Sequence, residues 1–264
     1  HVANALERSG EFDLVHNQLD WLPLAFDRHC RAPMVTTIHG FSGAAILPAY
    51  RRSSSAFVAI SAADRAPELD YIATVHHGID LDALPLRSTA GPELVAFGRI
   101  HPDKGVHLAI EAAQLSGLQL IIAGIIQDRR YFQQQVEPHL NQSIRYVGPV
   151  DVPGKNTLFA RARALLHLNT IPERFGLVLA EANAAGVPVI AMDLGSCREV
   201  IQHGHTGFLV DNVQQTLQAL HQVASIEPTY CRQWVQERFS IATMVAAYER
   251  VYQTLFDLEA AKRS

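Results

Sequence analysis

Two carboxylates flank a glycine in the stretch PERFGLVLAE, where Glu173 precedes Phe175 and Gly176 and Glu181 follows. We predict that a helix begins near Phe175 and Gly176, so that the backbone amides of Phe175, Gly176 and Leu177 lie unpaired in its first turn. Such amides, with the positive end of the helix dipole, bind phosphate. A carboxylate accepts hydrogen bonds from the hydroxyls of a sugar or a ribose. Taken alone, each glutamate is more often structural: Glu173 as a solvated loop acid or a partner of the helix dipole, and Glu181 as part of an exposed helix face.

A second group of candidate residues lies in the stretch FGRIHPDKG, in which Gly98 and Arg99 follow an apolar run and Lys104 precedes Gly105. We predict that a strand ends at Gly98 and that Lys104 lies where the next helix begins. An arginine and a lysine at the end of a strand can neutralise a diphosphate without a metal ion. The alternative is a charged surface turn in which Asp103 pairs with Lys104.

A third candidate is His39, which ends the β-branched run TTIHG beside Gly40. Alone, a histidine in that position is more often structural. The other histidines are scattered without the spacing of a metal site, and we predict no metal site in the chain. The cysteines, Cys30, Cys197 and Cys231, are odd in number and far apart, which favours a reducing, cytoplasmic location.

The elements that would hold these residues follow from the alternation of short apolar runs with longer amphipathic segments, which is typical of parallel α/β sheets. The pattern predicts about four strands in the first third of the chain, at 12–16, 34–40, 55–61 and 72–80. It predicts about six strands further on, at 94–100, 118–124, 144–150, 164–170, 188–193 and 207–210. It also predicts helices at 21–30, 105–117 and 176–186 and a helical tail from Val213. We therefore expect a ligand crevice beyond the carboxyl ends of the strands of a doubly wound sheet.

The composition restricts the possible partners. The chain has 264 residues, of which 48% are hydrophobic, and a formal net charge of −4. Acids and bases are mixed along the chain, so it lacks the concentrated basic face that nucleic acids require. No apolar run approaches the roughly 20 residues that span a bilayer, so we expect membrane association to be peripheral at most.

The chain is predicted to form two domains. A segment rich in proline, glycine, serine and threonine, Leu81–Leu94, is the best linker candidate. It separates a first domain at 1–85 from a second at 86–240, which is followed by a long amphipathic helix at 241–264. The chain opens with HVANALERSGEFDLVH, which has the pattern of the middle of a helix followed by a strand. We therefore expect the N-terminal domain to be incomplete.

Taken together, these motifs resemble the retaining glycosyltransferases of family 4. The resemblance covers nearly the whole chain and is most specific from about residue 93 to 210. Glu173 and Glu181 match the family's Glu-x7-Glu motif, and Gly98, Arg99, Lys104 and Gly105 match its Gly-Arg…Lys-Gly signature. The strand-end HG is matched at His39, and VHHGID is similar to the interdomain NGID segment. The chain is also similar to the group resembling the avilamycin glycosyltransferase.

The resemblance implies the GT-B fold, in which two Rossmann-like domains face a cleft, and the transfer of a sugar from a nucleoside-diphosphate sugar. We expect UDP to be the nucleotide, and we expect the reaction to be metal-independent because two cations replace a metal ion. Arg99 and Lys104 would stabilise the departing diphosphate, and Glu181 would hold the ribose. Glu173, with the amides of Phe175, Gly176 and Leu177, would hold the donor sugar and phosphate. His39 would reach the sugar or the acceptor from the other domain. No cofactor is implied beyond the donor itself.

The resemblance also leaves some points open. The acceptor could be a sugar, a glycolipid or a natural product. Gly195 and Ser196 stand where many members have a glycine pair, which would alter donor-sugar contacts. The last helix would pack on the N-terminal domain. Alternative functions are a nucleotide-sugar epimerase of the same architecture and a non-catalytic fragment that binds sugar nucleotides.

Overall fold

The computed structural model describes residues 1–40 and 43–263. These residues form two compact units. Unit 1 comprises residues 1–78 together with the helix that begins at Ile241, and unit 2 comprises residues 79–240. The units therefore divide at 78/79 and at 240/241, whereas the domain limits proposed from the sequence are 85/86 and 240/241.

Unit 1 contains a four-stranded parallel sheet with the strand order β1-β2-β3-β4. Its strands are β1 (Val15–Asn17), β2 (Met34–Ile38), β3 (Ala56–Ala59) and β4 (Tyr71–Thr74). All five residues of β2 are buried, which agrees with its β-branched sequence MVTTI. The four strands predicted for the first third of the chain are confirmed, although the first is shorter and begins later than expected.

The helices of unit 1 are α1 (Val2–Glu7), α2 (Leu47–Arg52) and the last helix of the chain, α10 (Ile241–Arg263). The segment predicted as a helix at 21–30 is a 3-10 helix, Pro23–His29. Helix α10 packs Val251 and Leu255 against Val35 of β2, Val58 of β3 and Val75, which follows β4. Its predicted apolar face is only partly buried, because Val245 and Leu258 are 45% and 50% exposed.

Unit 2 contains a six-stranded parallel sheet with the order β10-β9-β8-β5-β6-β7. Its strands are β5 (Glu93–Phe97), β6 (Leu120–Ala123), β7 (Ile144–Tyr146), β8 (Ala162–His167), β9 (Val189–Met192) and β10 (Gly207–Val210). The chain moves outward in one direction from β5 to β7 and then returns to β8 on the other side of β5. The switch between β5 and β8 therefore brings the loops after these two strands together.

Helices cover both faces of this second sheet, as a buried parallel sheet requires. They are α3 (Val106–Ser116), α4 (Arg129–Tyr131), α5 (Val152–Arg161), α6 (Leu177–Ala184), α7 (Cys197–Val200), α8 (Val213–Gln222) and α9 (Pro228–Phe239). The main core joins α3 and α8 to one face of the sheet through Ile110, Leu220 and alternate strand residues. Helices α6 and α9 pack against each other.

The segment expected to be a linker is packed on unit 2. Leu84 and Arg87 are 4% and 7% exposed. The amide of Arg87 donates to the carbonyl of Ala185 at 3.0 Å, and its guanidinium donates to the carbonyl of Ala162. These bonds replace the solvent that a free linker would contact. Among the residues described, no helix combines the length and the apolar character needed to cross a bilayer.

Candidate functional site

The loops that follow β5, β8 and β9 meet at the carboxyl edge of the second sheet, because these three strands are neighbours. Gly98 and Arg99 follow β5, and Asn169 follows β8. Lys104 ends a 3-10 turn, Pro102–Lys104, that leads into α3. Most of the candidate residues of unit 2 therefore lie where the topology of a doubly wound sheet favours a ligand.

Glu173 is the centre of a hydrogen-bonded cluster at this edge. Its Oε2 accepts hydrogen bonds from Lys104 Nζ at 2.7 Å and from Asn169 Nδ2 at 2.7 Å. The same oxygen accepts a bond from His167 Nε2 at 2.9 Å, whereas Oε1 accepts from the backbone amide of Arg174 at 3.1 Å. The Glu173 and Lys104 side chains are only 13% and 20% exposed. The carboxylate is thus fixed in orientation before any ligand arrives.

The protonation states in the cluster follow from burial and from the cation. Burial alone would raise the pKa of the Glu173 carboxyl, but the hydrogen bonds from His167 and Lys104 and the positive charge of Lys104 outweigh it and lower that pKa well below its usual value. Burial lowers the pKa of His167 by more than its bond to Glu173 raises it. We therefore assign a neutral imidazole that donates from Nε2 and an ionised Glu173 whose countercharge is Lys104.

The backbone of Glu173 is held by the loop after β9. Its carbonyl accepts bonds from the amide of Ser196 at 3.0 Å and from the hydroxyl of Ser196 at 3.2 Å. Gly195 adopts a φ of +64°, and a Cβ there would lie 2.2 Å from the Glu173 carbonyl oxygen. A side chain at position 195 would therefore push the Glu173 loop away from its partners.

Helix α6 begins one residue later than the sequence predicted. Gly176 is its N-cap residue, and Leu177 is its first helical residue. The unpaired amides of its first turn therefore belong to Gly176, Leu177 and Val178, by the geometry of any α-helix. The Phe175 side chain is 2% exposed and packs edge-on against Phe239. Phe175 therefore anchors this helix start in the core, and only its backbone can face a ligand.

Glu181 projects from α6 and forms a second ion pair. Its Oε1 lies 2.5 Å from Lys155 Nζ, and the two side chains are 23% and 13% exposed. Lys155 comes from the first half of α5. One carboxylate oxygen is therefore occupied by a cation, whereas Oε2 can accept hydrogen bonds from a ligand.

Arg99 has a different environment from Lys104. It is exposed, and its guanidinium donates to the side-chain oxygen of Gln127, which is also exposed. No carboxylate of the described residues forms a salt bridge with Arg99. The two cations predicted to act together thus differ, because Lys104 is already paired with an acid, whereas the Gln127 amide is the one side-chain partner of Arg99 among the described residues.

His39 lies in unit 1, directly after β2. Its amide donates to Asp20 Oδ1 at 2.8 Å, and its Nε2 lies 2.7 Å from Gln18 Oε1. Its ring stacks on that of His77, with centroids 5.4 Å apart and an interplanar angle of 9°. The histidine is therefore held at the carboxyl edge of the first sheet by contacts along both its backbone and its ring.

Sequence reasoning missed four residues that hold the site in unit 2: His167, Asn169, Lys155 and Gln127. The first two stand at the end of the apolar run ALLHLNT, and polar residues at that end of a parallel strand are a readable signal. Lys155 and Gln127 carry no comparable signal, because their partners are distant in the sequence. Among the described residues, no group of three metal-ligating side chains could hold a metal ion.

Comparison with known proteins identifies the family. Residues 85–237, more than half of the chain, match the model of the family described as glycosyl transferases group 1. The chain belongs to this family.

Curated relatives of this group 1 chain include the glycogen synthase of Mycobacterium tuberculosis, to which it is 32% identical over 237 residues. That alignment covers 76% of the chain and 57% of the relative. The phosphatidyl-myo-inositol mannosyltransferase of Mycobacterium leprae is 27% identical over 237 residues, which cover 76% of the chain and 60% of that protein. The chain thus spans somewhat over half the length of these relatives.

Solved structures similar to the group 1 chain show its fold. Anabaena HepE in complex with UDP and glucose has a TM-score of 0.81 at 21% identity, covering 97% of this chain and 81% of that one. AviGT4, a glycosyltransferase involved in avilamycin A biosynthesis, has a TM-score of 0.75 at 18% identity, covering 96% and 77%. The predicted fold class, GT-B with two Rossmann-like α/β domains, is confirmed.

Proposed function

We propose that this group 1 protein is a retaining glycosyltransferase of family 4 that transfers a sugar from a UDP-sugar to a hydroxyl of an acceptor. The observation that carries the proposal is the cluster around Glu173. It places a lysine, an ionised carboxylate and the first turn of α6 at one edge of the sheet. These are the groups that a diphosphate and a sugar require.

In this proposal the diphosphate binds to the first-turn amides of α6 and to Lys104 and Arg99. Charge builds up on the diphosphate as its bond to the sugar breaks, so cations fixed beside it stabilise the transition state. Gly98 gives the diphosphate close access to the backbone where β5 ends. Arg99 donates to Gln127 through one of its five N–H groups, so the others can bind the diphosphate.

The two carboxylates hold different parts of the donor in this proposal. Glu173 presents its oxygens to hydroxyls of the sugar, and its neighbours Lys104 and Asn169 prevent it from turning away. Glu181 accepts hydrogen bonds from the ribose hydroxyls at Oε2, while Lys155 holds Oε1. We assign neither carboxylate as a nucleophile. His39 contacts the sugar or the acceptor.

The preference for UDP is supported by the bound ligands named for Anabaena HepE, which are UDP, UDP-glucose and glucose. The acceptor remains open among sugars, glycolipids and natural products. We propose a metal-independent reaction that needs no cofactor besides the donor, because Arg99 and Lys104 supply positive charge. A cytoplasmic location belongs to the same proposal, since the three cysteines form no disulfide.

The experiment that tests the function is a calorimetric panel of UDP, GDP, ADP and their sugars on the purified chain. We expect UDP and a UDP-sugar to bind with the highest affinity. Acceptor candidates are then added, and NMR of the product shows whether the anomeric configuration of the donor is kept. Absence of binding to every nucleotide would contradict the proposal, and inversion at the anomeric carbon would contradict the retaining assignment.

Two further controls separate the alternatives. Turnover in excess EDTA should equal turnover without it, and loss of activity on chelation would overturn the metal-independent reaction. An epimerase releases or converts the sugar without any acceptor, whereas a transferase requires one. Binding of UDP without turnover over a broad acceptor panel would favour a non-catalytic fragment.

A further inference from the structure

Gln18 lies between two histidines of unit 1, at the carboxyl edge of the first sheet. Its Oε1 is 2.7 Å from His39 Nε2, and its Nε2 is 2.9 Å from His16 Nε2. His16 belongs to β1, whereas His39 follows β2, so this one exposed side chain links two neighbouring strands. No role was assigned to Gln18 from the sequence.

The chemistry of the amide sets the direction of these bonds. An amide oxygen only accepts hydrogen bonds and an amide nitrogen only donates them. His39 must therefore carry its proton on Nε2 to donate to Gln18, and His16 must accept at Nε2. His16 then carries its proton on Nδ1, from which it donates to the hydroxyl of Tyr252 at 2.7 Å.

The contacts of His16 agree with this orientation of Gln18. The hydroxyl of Thr37 is 2.8 Å from His16 Nε2 and 2.9 Å from the hydroxyl of Tyr248, which comes from α10. Burial, and next the charge of His39, lower the pKa of His16 to about 4, so its ring is neutral near pH 7. The Tyr252 hydroxyl can accept from Nδ1 of this neutral ring, and the Thr37 hydroxyl can donate to its Nε2, so both contacts are compatible with an Nε2 that also accepts from the Gln18 amide nitrogen.

The other contacts of His39 leave one ring nitrogen for a ligand. Asp20 holds its amide and His77 stacks on its ring, while Gln18 takes Nε2. The Nδ1 atom forms no hydrogen bond with any residue that the structure describes. When the proton is on Nε2, Nδ1 offers a lone pair.

We propose that Gln18 is a positioning residue that holds His39 in its Nε2–H tautomer, so that His39 Nδ1 accepts a hydrogen bond from a hydroxyl of the bound sugar or of the acceptor. The proposal rests on the proposed function, because that function places His39 at the substrate. Gln18 itself acts through His39.

The tautomer is measured first, without any substrate. Long-range ¹H–¹⁵N correlation spectra of the full chain near pH 8 distinguish the protonated ring nitrogen from the unprotonated one in each histidine. We expect His39 to be protonated on Nε2 in the wild type. Gln18→Leu should give a mixture of tautomers, and Gln18→Glu, which keeps an oxygen acceptor, should retain Nε2–H. A wild-type His39 protonated on Nδ1, or a Gln18→Leu spectrum identical to the wild type, would overturn the proposal.

Activity is measured next on the same variants. Gln18→Leu should lower kcat/KM by about tenfold, the effect of one hydrogen bond to a substrate hydroxyl, and Gln18→Glu should restore most of it. Gln253→Leu is the matched control, because Gln253 is an exposed glutamine of unit 1 whose side chain, within the described part of the chain, bonds to Asp257 alone. It should have wild-type kcat/KM. The melting temperatures of all three variants should stay near that of the wild type, because both glutamines are exposed.

The two proposals fail in different ways. If the spectra show the expected tautomers but Gln18→Leu keeps full kcat/KM, His39 does not serve the reaction through Nδ1 and the inference is wrong. If no donor is turned over or bound at all, the proposed function fails, whereas the tautomer measurement still stands because it needs no ligand.

Discussion

The two sheets place polar side chains at the same edge but hold them by different forces. At the carboxyl edge of unit 2, opposite charges are paired, Lys104 with Glu173 and Lys155 with Glu181. At the carboxyl edge of unit 1, His16 and Gln18 are held in a chain of neutral donors and acceptors. The first arrangement depends on charge, and the second depends on where each proton lies.

The difference indicates how each edge could respond to a ligand. A lysine ammonium has three N–H donors, so Lys104 can keep its bond to Glu173 and donate to a phosphate as well. In a neutral network, each group must donate or accept in the right direction. A substitution that keeps the shape of a side chain but exchanges a donor for an acceptor can therefore reverse these hydrogen bonds without any change of charge. Substitutions at the two edges should therefore change different properties of the protein, and by different amounts.

The largest effect is expected from the cations of unit 2. Lys104→Ala and Arg99→Ala should each lower turnover by roughly 10²–10³, as the loss of one group that stabilises transition-state charge does. Arg198→Ala is the control, because Arg198 is exposed and, among the residues that the structure describes, its side chain pairs with Asp193 alone. Steady-state kinetics with the donor identified by calorimetry provide the measurement. A near-wild-type rate for Lys104→Ala would remove that lysine from the mechanism.

The next effect concerns stability. Glu173→Gln leaves Lys104 without its acid, so the free energy of unfolding should fall by about 3 kcal/mol, the cost of breaking a buried pair. Because folding lowers the pKa of Glu173 from 4.5, its contribution is present near pH 7 and is lost on acidification below that value. Urea unfolding at pH 7 measures the change.

Asp193→Asn is the matched stability control for Glu173→Gln. It breaks the pair with Arg198, whose side chain is 66% exposed, so solvent replaces the lost interaction and the change should be much smaller. Equal losses in the two variants would show that burial does not distinguish these ion pairs.

A smaller effect is expected on nucleotide affinity. Glu181→Ala should weaken UDP binding about tenfold, because it removes the proposed acceptor for the ribose hydroxyls. Lys155→Met breaks the same ion pair but keeps the carboxylate, so it should retain more of the affinity. Isothermal calorimetry compares the two, and an unchanged dissociation constant for Glu181→Ala would be inconsistent with a role in ribose binding.

The smallest expected effect is on the pH dependence of stability, and it tests the environment of His16 in unit 1. Burial lowers the pKa of His16 from 6.5 to about 4, so between these values the unfolded chain binds a proton that the folded chain does not. Stability should therefore fall as the pH is lowered through this range, and His16→Asn should make that fall less steep. Urea unfolding of both proteins at several pH values gives the slopes. Identical slopes would mean that His16 is not buried as a neutral ring.

The sequence predicted the sheets well because their strands are short runs of buried apolar residues. Leu120–Ala123 and Val189–Met192 are entirely buried, and such runs are visible without knowledge of their neighbours. The start of α6 was placed one residue early, since Gly176 caps the helix instead of entering it. The linker was also misjudged, because its composition gave no sign that Arg87 is buried.

The partners in the candidate site could not be predicted in the same way. Lys104 and Glu173 are 69 residues apart, and they meet because β5 and β8 are neighbours in the sheet. Strand order is a property of the whole fold, so periodicity does not reveal it. The motif identified Glu173, Glu181, Arg99, Lys104 and His39, whose roles stay predictions, whereas His167, Lys155 and Gln18 required coordinates.

The route of the chain also has a consequence for synthesis. Unit 2 is one continuous insert, and its two ends meet where Ile79 donates to the carbonyl of Phe239 at 2.7 Å. A ribosome therefore finishes the insert before it makes α10, the helix that covers Val35 and Val58. We expect the sheet of unit 1 to complete its packing last, although its strands are made first. A nascent chain released before Ile241 should therefore carry a folded unit 2, while the apolar surface of unit 1 that α10 covers is still exposed.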